Sequence, residues 1–193
     1  DMDALKAIAK QYDLKLIVDS AQSPGAFYKG SYAGTLGDVG GYSLNYHKHI
    51  HTGEGGIIVT NDDEIAERLQ LIRNHAEAVV ADKGVTDLTN MIGHNFRLGE
   101  IECAMGIEQL KKLADLVINR QAAAEKLSAG LAGLRGLKTP IVTQGLSHVY
   151  YVYGLVIDVE KLDVTRDRIL SALTAEGVDG LMAGYTNIHL LPM

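Results

Sequence analysis

The sequence predicts an α/β protein, in which helices and short strands alternate along the chain. Residues 2–12 place apolar side chains at helical spacing, and the apolar run LKLIVD that follows is typical of a buried parallel strand. Two more short strand-like runs, GDVGGYSLN and GGIIVTN, lead into the amphipathic pattern DDEIAERLQLIRNH. The order helix, strand, strand, strand, helix therefore indicates a sheet with helices packed against it.

The next elements follow from capping and periodicity. Asn61 or Asp62 can cap the helix that follows, because a short polar side chain there accepts hydrogen bonds from the first helical turn. From Ala76 to about Asn90 the periodicity fails, which favours a flap or a subunit-contact loop. From Leu98 to about Leu134 apolar residues recur every three or four positions, and this spacing predicts two consecutive helices.

Beyond residue 134 the pattern changes to that of a second domain. HVYYVYGLVID predicts an aromatic β-strand, and TRDRILSALTAEGV predicts a helix capped by Thr165. We therefore predict a boundary between residues 1–134 and 135–193, the latter being the start of a small C-terminal α/β domain. Both ends of the sequence are abrupt, so we expect a segment of a longer protein.

Composition excludes several classes of function. The 193 residues are 47% hydrophobic, enough for a packed core, and 18 basic against 24 acidic residues argue against nucleic acid as a partner. The sequence has neither an apolar stretch long enough to cross a membrane nor a basic, apolar leader, so we expect no membrane partner and a cytoplasmic location. Cys103 is the only cysteine, which excludes an internal disulfide and suggests a packing role.

Two residues suggest a specific cofactor chemistry. Lys48 stands in GYSLNYHKHIHTGEGG, and Asp19 ends the strand-like run in LIVDSAQ, where open α/β sheets place ligand-binding groups. A lysine amine condenses with an aldehyde to a Schiff base, and a carboxylate keeps a pyridine nitrogen protonated so that the ring accepts electrons. The pair therefore predicts an enzyme that binds pyridoxal phosphate (PLP).

Two polar residues are suitably spaced to complete this site. Gln22, three residues after Asp19, can contact the ring oxygen, while Ser43, five residues before Lys48, can bond the phosphate. The alternatives are that Asp19 only caps a turn and that Lys48 is an ordinary exposed loop lysine. The glycines of GEGG fit no phosphate-loop pattern and can simply form a tight turn.

A cluster of histidines surrounds the lysine. In an extended segment His47, His49 and His51 project to one side, which allows a metal site as an alternative. We favour no metal and expect these side chains to line the cofactor mouth or meet substrate. Glu54 and His189 are further residues that can face the site.

Three segments together carry a family resemblance. VDSAQSPGA, GDVGGYSLNYHKHIHTGEGGIIVTNDDEIAERLQLIRNHAE and GHNFRLGEIECAMGIEQLKKL closely resemble the DegT/DnrJ/EryC1/StrS family of sugar aminotransferases, over nearly the whole chain. The resemblance implies the PLP-dependent transferase fold of the aspartate aminotransferase type, fold type I. Residues 1–134 would be the C-terminal part of its PLP-binding large domain with connecting helices, and residues 135–193 part of its small domain.

The resemblance also implies roles for individual residues. Lys48 would bond covalently to PLP and move the proton between the amino donor and the cofactor, and Asp19 would pair with the pyridine nitrogen. Gln22 would lie by the ring oxygen and Ser43 would bind the phosphate. Asn95, in GHNFR, would reach the phosphate bound by the neighbouring subunit, so the resemblance implies a homodimer.

The implied reaction moves an amino group from glutamate or glutamine onto a nucleotide-linked keto sugar, for polysaccharide or secondary-metabolite biosynthesis. A sugar 3-dehydratase of the same family, which has histidine in place of the lysine, is one alternative, and a PLP-binding sensory protein without turnover is another. Lys48 keeps its register to Ser43 and GEGG, which favours transamination.

Family members are longer, and their N-terminal half supplies further cofactor contacts, so this chain alone is not expected to turn over. Where many relatives carry Pro-Thr-Lys this chain has histidines, so the sugar, the nucleotide and the aminated carbon stay open.

Overall fold

The protein is described by a computed structural model that covers residues 1–77, 80–88 and 91–192. Helices and short strands alternate through these ranges, as the sequence predicts. The helices are α1 (Met2–Gln11), α2 (Asp63–Arg73), α3 (Val80–Lys83), α4 (Glu100–Leu131), α5 (Val159–Leu162) and α6 (Arg166–Ala175). The strands are β1 (Ile17–Asp19), β2 (Phe27–Tyr28), β3 (Ser31–Tyr32), β4 (Val39–Ser43), β5 (Gly56–Val59), β6 (Leu137–Lys138) and β7 (Val156–Ile157).

The main sheet has the strand order β1-β4-β5. β1 runs parallel to β4 with Asp19 opposite Gly41, and β5 returns antiparallel to β4 with Gly56 opposite Ser43. Because β1 and β4 are parallel, their carboxyl ends meet at the same edge of the sheet. The residues that follow Asp19 and Ser43 are thereby brought together.

The first strand is more exposed than its apolar sequence indicates. Ile17 is 75% exposed, so the prediction of a buried strand is wrong for this chain. Within the described residues β1 has a strand neighbour on one side only, and α1 contributes no buried residue. The Ile17 side chain is thus left without a covering layer in the described residues, whereas Val18 is half-buried.

The second helix begins where its sequence predicts. The Asp62 carboxylate accepts hydrogen bonds from the N–H groups of Glu64 and Ile65, at 3.0 and 3.1 Å. Residues 78–79 and 89–90 of the expected flap lie outside the described ranges. The described part of that segment includes α3, and its role stays a prediction.

The long apolar pattern after Leu98 forms one helix of 32 residues, not the two predicted. α4 contains no proline, and its internal glycines, Gly106 and Gly130, each cost only about 1 kcal/mol relative to alanine. Val117 and Ala124 are its buried residues. A glycine in a run of strong helix formers is therefore not enough to break the helix.

Close backbone packing beneath the sheet requires one particular glycine. A Cβ built on Gly40 would lie 2.6 Å from the carbonyl carbon of Gly34 and would overlap its oxygen, whereas a Cβ on Gly41 meets nothing within 4 Å. Both residues lie in β4, next to each other in sequence. Their environments differ because successive residues of a strand face opposite sides of the sheet.

We expect Gly40→Ala to destabilise the protein by about 2 kcal/mol or more, because the backbone of Gly34 has to move. Gly41→Ala is the matched control and should change the free energy of unfolding by less than about 1 kcal/mol. Chemical denaturation of both variants measures the difference. Equal stability of the two variants would contradict the packing described here.

The chain folds into two compact units. The first contains residues 1–124 and 142–152, and the second contains residues 125–141 and the chain from Tyr153 onward. In the second unit β6 and β7 pair antiparallel, and Thr165 caps α6 by accepting a hydrogen bond from the Arg168 N–H at 3.3 Å. The predicted domain boundary at residues 134–135 stays a prediction.

The aromatic segment HVYYVYGLVID is not the long strand predicted from its composition. Only Val156–Ile157 forms a strand, and residues 148–152 run through the first unit without strand pairing. Side chains, described below, satisfy the carbonyl groups that a neighbouring strand would otherwise bind. None of the described helices combines the length and hydropathy needed to cross a membrane.

Candidate active site

A cavity of about 450 Å³ opens at the carboxyl edge of the sheet, within the first unit. Asp19 and Gln22 come from the chain after β1, and Lys48 comes from the loop between β4 and β5. The opposite wall comes from residues 147–152. The complete lining is Asp19, Ala21, Gln22, Ser23, Ala26, Lys48, Ser147, His148, Val149, Tyr151 and Val152.

A tight turn directs the chain along this cavity after β1. The Asp19 carboxylate accepts a hydrogen bond from the Ala21 N–H at 3.0 Å, and the Ser20 carbonyl accepts one from the Ser23 N–H at 3.0 Å. Ser20 is 1% exposed, and its N–H donates to the Gly41 carbonyl at 2.9 Å, which ties the start of the turn to β4. The turn therefore brings Gln22 to the same cavity as Asp19.

The Lys48 loop is cross-linked by hydrogen bonds at its base and along its length. Leu44 N–H donates to the Gly55 carbonyl at 2.9 Å, and Thr52 N–H donates to the Leu44 carbonyl at 3.0 Å. Lys48 N–H donates to the Asn45 carbonyl at 2.9 Å. These bonds fix the backbone of the lysine and leave its side chain to extend along the cavity wall.

The three histidines do not share a side, so the prediction from an extended segment is wrong. Residues 46–50 form turns, and His49 points inward, 6% exposed, with Nε2 2.7 Å from the Val149 carbonyl. The His47 ring lies against Tyr46 with centroids 3.8 Å apart and planes tilted by 36°, and His51 Nδ1 accepts the Gly53 N–H at 3.3 Å. Turn geometry replaces the strand alternation that would have aligned them. No group of three metal-ligating side chains occurs among the described residues.

The sequence did not predict the cavity wall formed by residues 147–152. Three successive carbonyls of this segment accept hydrogen bonds from side chains, in place of a strand ladder. Gln121 Nε2 donates to the His148 carbonyl at 3.0 Å, and His49 Nε2 donates to the Val149 carbonyl. Arg120 Nη1 donates to the Tyr150 carbonyl at 3.0 Å. The one sequence signal is the dense aromatic run HVYYVY, which indicated a strand rather than a cavity wall.

The other predicted residues lie elsewhere. Ser43 Oγ accepts the Asn45 N–H at 3.2 Å and is not part of the cavity lining. Asn95 forms a β-bridge with Asn74 and does not line the cavity either. Glu54 binds Asn45 Nδ2 through Oε1 at 2.7 Å, and His189 lies in a 3₁₀ turn of the second unit. Cys103, expected to pack, is exposed on α4.

Burial affects the protonation of His49. It lowers the pKa of this imidazole, and the charges of Arg120, Lys48 and His148 act in the same direction, against the hydrogen bond to Val149. When Nε2 donates to the Val149 carbonyl, Nδ1 is the unprotonated nitrogen, and it is buried without a partner among the described residues. A proton on Nδ1 would therefore be buried with no acceptor.

We expect this histidine to make folding sensitive to mild acid. As the pH falls below the unfolded pKa of about 6.5, the unfolded chain takes up a proton that the folded chain does not. The free energy of unfolding therefore decreases as the pH falls from the unfolded pKa to the folded pKa, by at most about 1.4 kcal/mol per pH unit. Thermal unfolding between pH 7.5 and 5.5 should show a steeper fall in Tm for wild type than for His49→Gln. His47→Gln, a change at an exposed position, should keep the wild-type slope; a wild-type slope in His49→Gln would contradict the assignment.

The lining groups fit the chemistry of PLP. The cavity offers a primary amine, a carboxylate and a carboxamide, from Lys48, Asp19 and Gln22. These are the groups needed to bond an aldehyde, hold a protonated pyridine nitrogen and contact the ring oxygen. The volume of about 450 Å³ lies within the usual range for small-molecule sites.

Comparison with known proteins agrees with this fold. The model of the DegT/DnrJ/EryC1/StrS aminotransferase family matches residues 1–193. GDP-perosamine synthase from Caulobacter vibrioides is 32% identical over 193 residues, which are 100% of this chain and 50% of that protein.

Two solved structures have the same architecture. The crystal structure of S. venezuelae DesV in complex with a ketimine intermediate is 32% identical, with a TM-score of 0.84 over 100% of this chain and 49% of that one. The E. coli GDP-4-keto-6-deoxy-D-mannose-3-dehydratase with bound hydrated PLP is 29% identical, with a TM-score of 0.77 over 92% of this chain and 48% of that one.

The fold is thus part of the α/β fold of PLP-dependent aminotransferases, fold type I. The chain belongs to the DegT/DnrJ/EryC1/StrS aminotransferase family. It spans about half the length of the curated relatives that it matches.

Proposed function

We propose that the protein carrying this chain is a PLP-dependent aminotransferase that moves an amino group from glutamate or glutamine onto a nucleotide-linked keto sugar. The observation that carries the proposal is one cavity lined by Lys48, Asp19 and Gln22. Relatives named as sugar transaminases and as a perosamine synthase support the substrate class. The product would serve polysaccharide or secondary-metabolite biosynthesis, and we propose the cytoplasm as the compartment.

Each lining residue has a distinct task in this proposal. PLP, when bound, supplies an aldehyde that bonds amines and a ring that accepts electrons. Lys48 would provide the amine for the covalent bond and, once released as a free base, would take up and pass on the proton of the amino donor. Asp19 would accept the hydrogen bond of the protonated ring nitrogen, and Gln22 would donate to the ring oxygen.

Two further residues belong to the proposal although they do not line the cavity. We propose that Ser43, at the end of β4, binds the cofactor phosphate, and that Asn95 reaches the phosphate held by the partner in a homodimer. On this proposal residues 1–134 are the C-terminal part of the PLP-binding large domain. Residues 135–193 are part of the small domain.

The resemblance to a 3-dehydratase makes that reaction the second candidate. The family resemblance assigns a histidine to the lysine position in dehydratases, and His47 and His49 flank Lys48. His49 is buried against the Val149 carbonyl, and the His47 ring contacts Tyr46 and is not part of the lining. Since Lys48 is the one of the three that lines the cavity, the geometry favours transamination.

A half-reaction distinguishes these candidates. The protein carrying this chain is loaded with PLP, reduced with borohydride and analysed by mass spectrometry for an adduct on Lys48. A second sample receives glutamate or glutamine, and formation of the corresponding keto acid with the aminated cofactor is measured. An adduct together with this conversion supports transamination. A PLP-binding sensor would give the adduct without conversion, and a dehydratase would remove substrate oxygen without an adduct on Lys48.

A further inference from the structure

The aromatic ring of Tyr151 lies beneath the ammonium group of Lys48. Nζ is 4.5 Å from the ring centroid, inside the limit of about 6 Å for a cation–π interaction. Both side chains line the cavity that Asp19 and Gln22 share. In the described ranges, the lysines with carboxylate partners are Lys15, Lys29, Lys111 and Lys161. Lys48 has the ring as its partner instead.

The backbone just before Tyr151 is held by core packing and by hydrogen bonds. Val149, two residues before it, is 3% exposed and belongs to the core cluster of Ala26 and Val117. The side-chain hydrogen bonds to the carbonyls of residues 148–150 hold the same stretch. Tyr150 has a left-handed backbone with φ of 48°, and its N–H donates to His148 Nδ1 at 2.8 Å. The Tyr151 ring therefore extends from a backbone segment that packing and hydrogen bonds hold in place.

We propose that Tyr151 is a positioning residue that holds Nζ of Lys48 whenever this group is an ammonium: in the cofactor-free protein, and again once the released amine takes up the proton of the amino donor. Lysine has a long, rotatable side chain, so an unattached amine samples many positions. The ring face restricts the ammonium to the cavity before the cofactor is bound, and it favours the positive charge that Nζ gains as it takes up the donor's proton. This proposal rests on the proposed function, because it concerns the same lysine.

The contact can be measured without catalysis. In protein free of PLP, lysines are reductively methylated with ¹³C, which keeps their positive charge, and the Lys48 methyl signal is assigned by its loss in Lys48→Arg. A methyl group over an aromatic face should resonate upfield of those of exposed lysines. We expect this upfield shift in wild type and in Tyr151→Phe, and its loss in Tyr151→Leu.

The kinetic consequence is measured on the PLP-loaded protein. We expect Tyr151→Leu to lower the saturating rate of the amino-donor half-reaction by about 3- to 30-fold, the range of a cation–π contact, with little change in KM. Tyr151→Phe should restore the rate to within about twofold, because it keeps the ring face. Tyr46→Leu is the control, because Tyr46 is an exposed aromatic residue on the lysine loop outside the cavity lining. This variant should keep the wild-type rate.

The outcomes separate this proposal from the one on which it rests. If borohydride leaves no adduct on Lys48 in wild type, the proposed function fails. If the adduct forms but the methyl shift is absent in wild type, or Tyr151→Leu turns over like wild type, the positioning role is wrong. Equal losses in the leucine and phenylalanine variants would also overturn it, since the ring face would then not be the group that acts.

Discussion

Lys48→Ala should abolish the covalent attachment of PLP and lower amino transfer by about 10²- to 10⁴-fold, the usual contribution of a general acid or base. The expected loss is large because one amine is proposed both to bond the cofactor and to move the proton. Stability should change little, since the side chain is only partly buried and its loop is held by backbone hydrogen bonds.

Absorbance of the bound cofactor, mass spectrometry after borohydride reduction and the half-reaction rate measure this prediction. Lys48→Arg is the sharper of two controls: it keeps a cation beside Tyr151, but a guanidinium does not form the Schiff base. Lys48→Arg should therefore lose covalent attachment and amino transfer to the same extent as Lys48→Ala. Lys112→Ala, at an exposed position of α4, should behave like wild type. Persistence of the reduced adduct in Lys48→Ala would mean that another lysine is responsible.

Asp19→Asn should bind PLP more weakly and slow proton transfer, because it removes a negative charge while keeping a similar shape. The Oδ1 atom of asparagine can still accept the Ala21 N–H, so the turn after β1 should persist. Opposite charges 4 Å apart attract by about 4 kcal/mol at an effective dielectric of 20, which corresponds to about 10³-fold in rate, but by only about 1 kcal/mol in water.

The loss of activity in Asp19→Asn therefore measures how well the bound ring and the Asp19 carboxylate are shielded from water. Asp19 is exposed in this chain, so the larger loss requires that the bound ring and the rest of the protein displace water from the carboxylate. Rates and cofactor retention are compared with those of Asp13→Asn, which makes the same charge change at an exposed position away from the cavity lining. Activity of Asp19→Asn equal to that of this control would remove the argument that the acid keeps the ring electron-accepting.

Local patterns predicted most of the secondary structure. Capping by Asp62 and Thr165 marked the starts of α2 and α6, because a cap depends only on neighbouring residues. The same local reasoning was wrong for α4, where it divided one helix, and for HVYYVY, where β-propensity indicated a strand. Propensity carries no information about Gln121, Arg120 and His49, distant residues whose side chains bind that segment's carbonyls.

The sequence by itself determined the family, the α/β class and the choice of Lys48, Asp19 and Gln22 as candidate site residues. Those inferences depend on residue types at fixed spacing, which a linear chain records. Only the tertiary structure decided that residues 147–152 form the opposite wall of the cavity, that Tyr151 faces the lysine, and that His49 is buried rather than available. These features arise from contacts between segments about 100 residues apart, and spacing along the chain does not encode which carbonyl a side chain will meet.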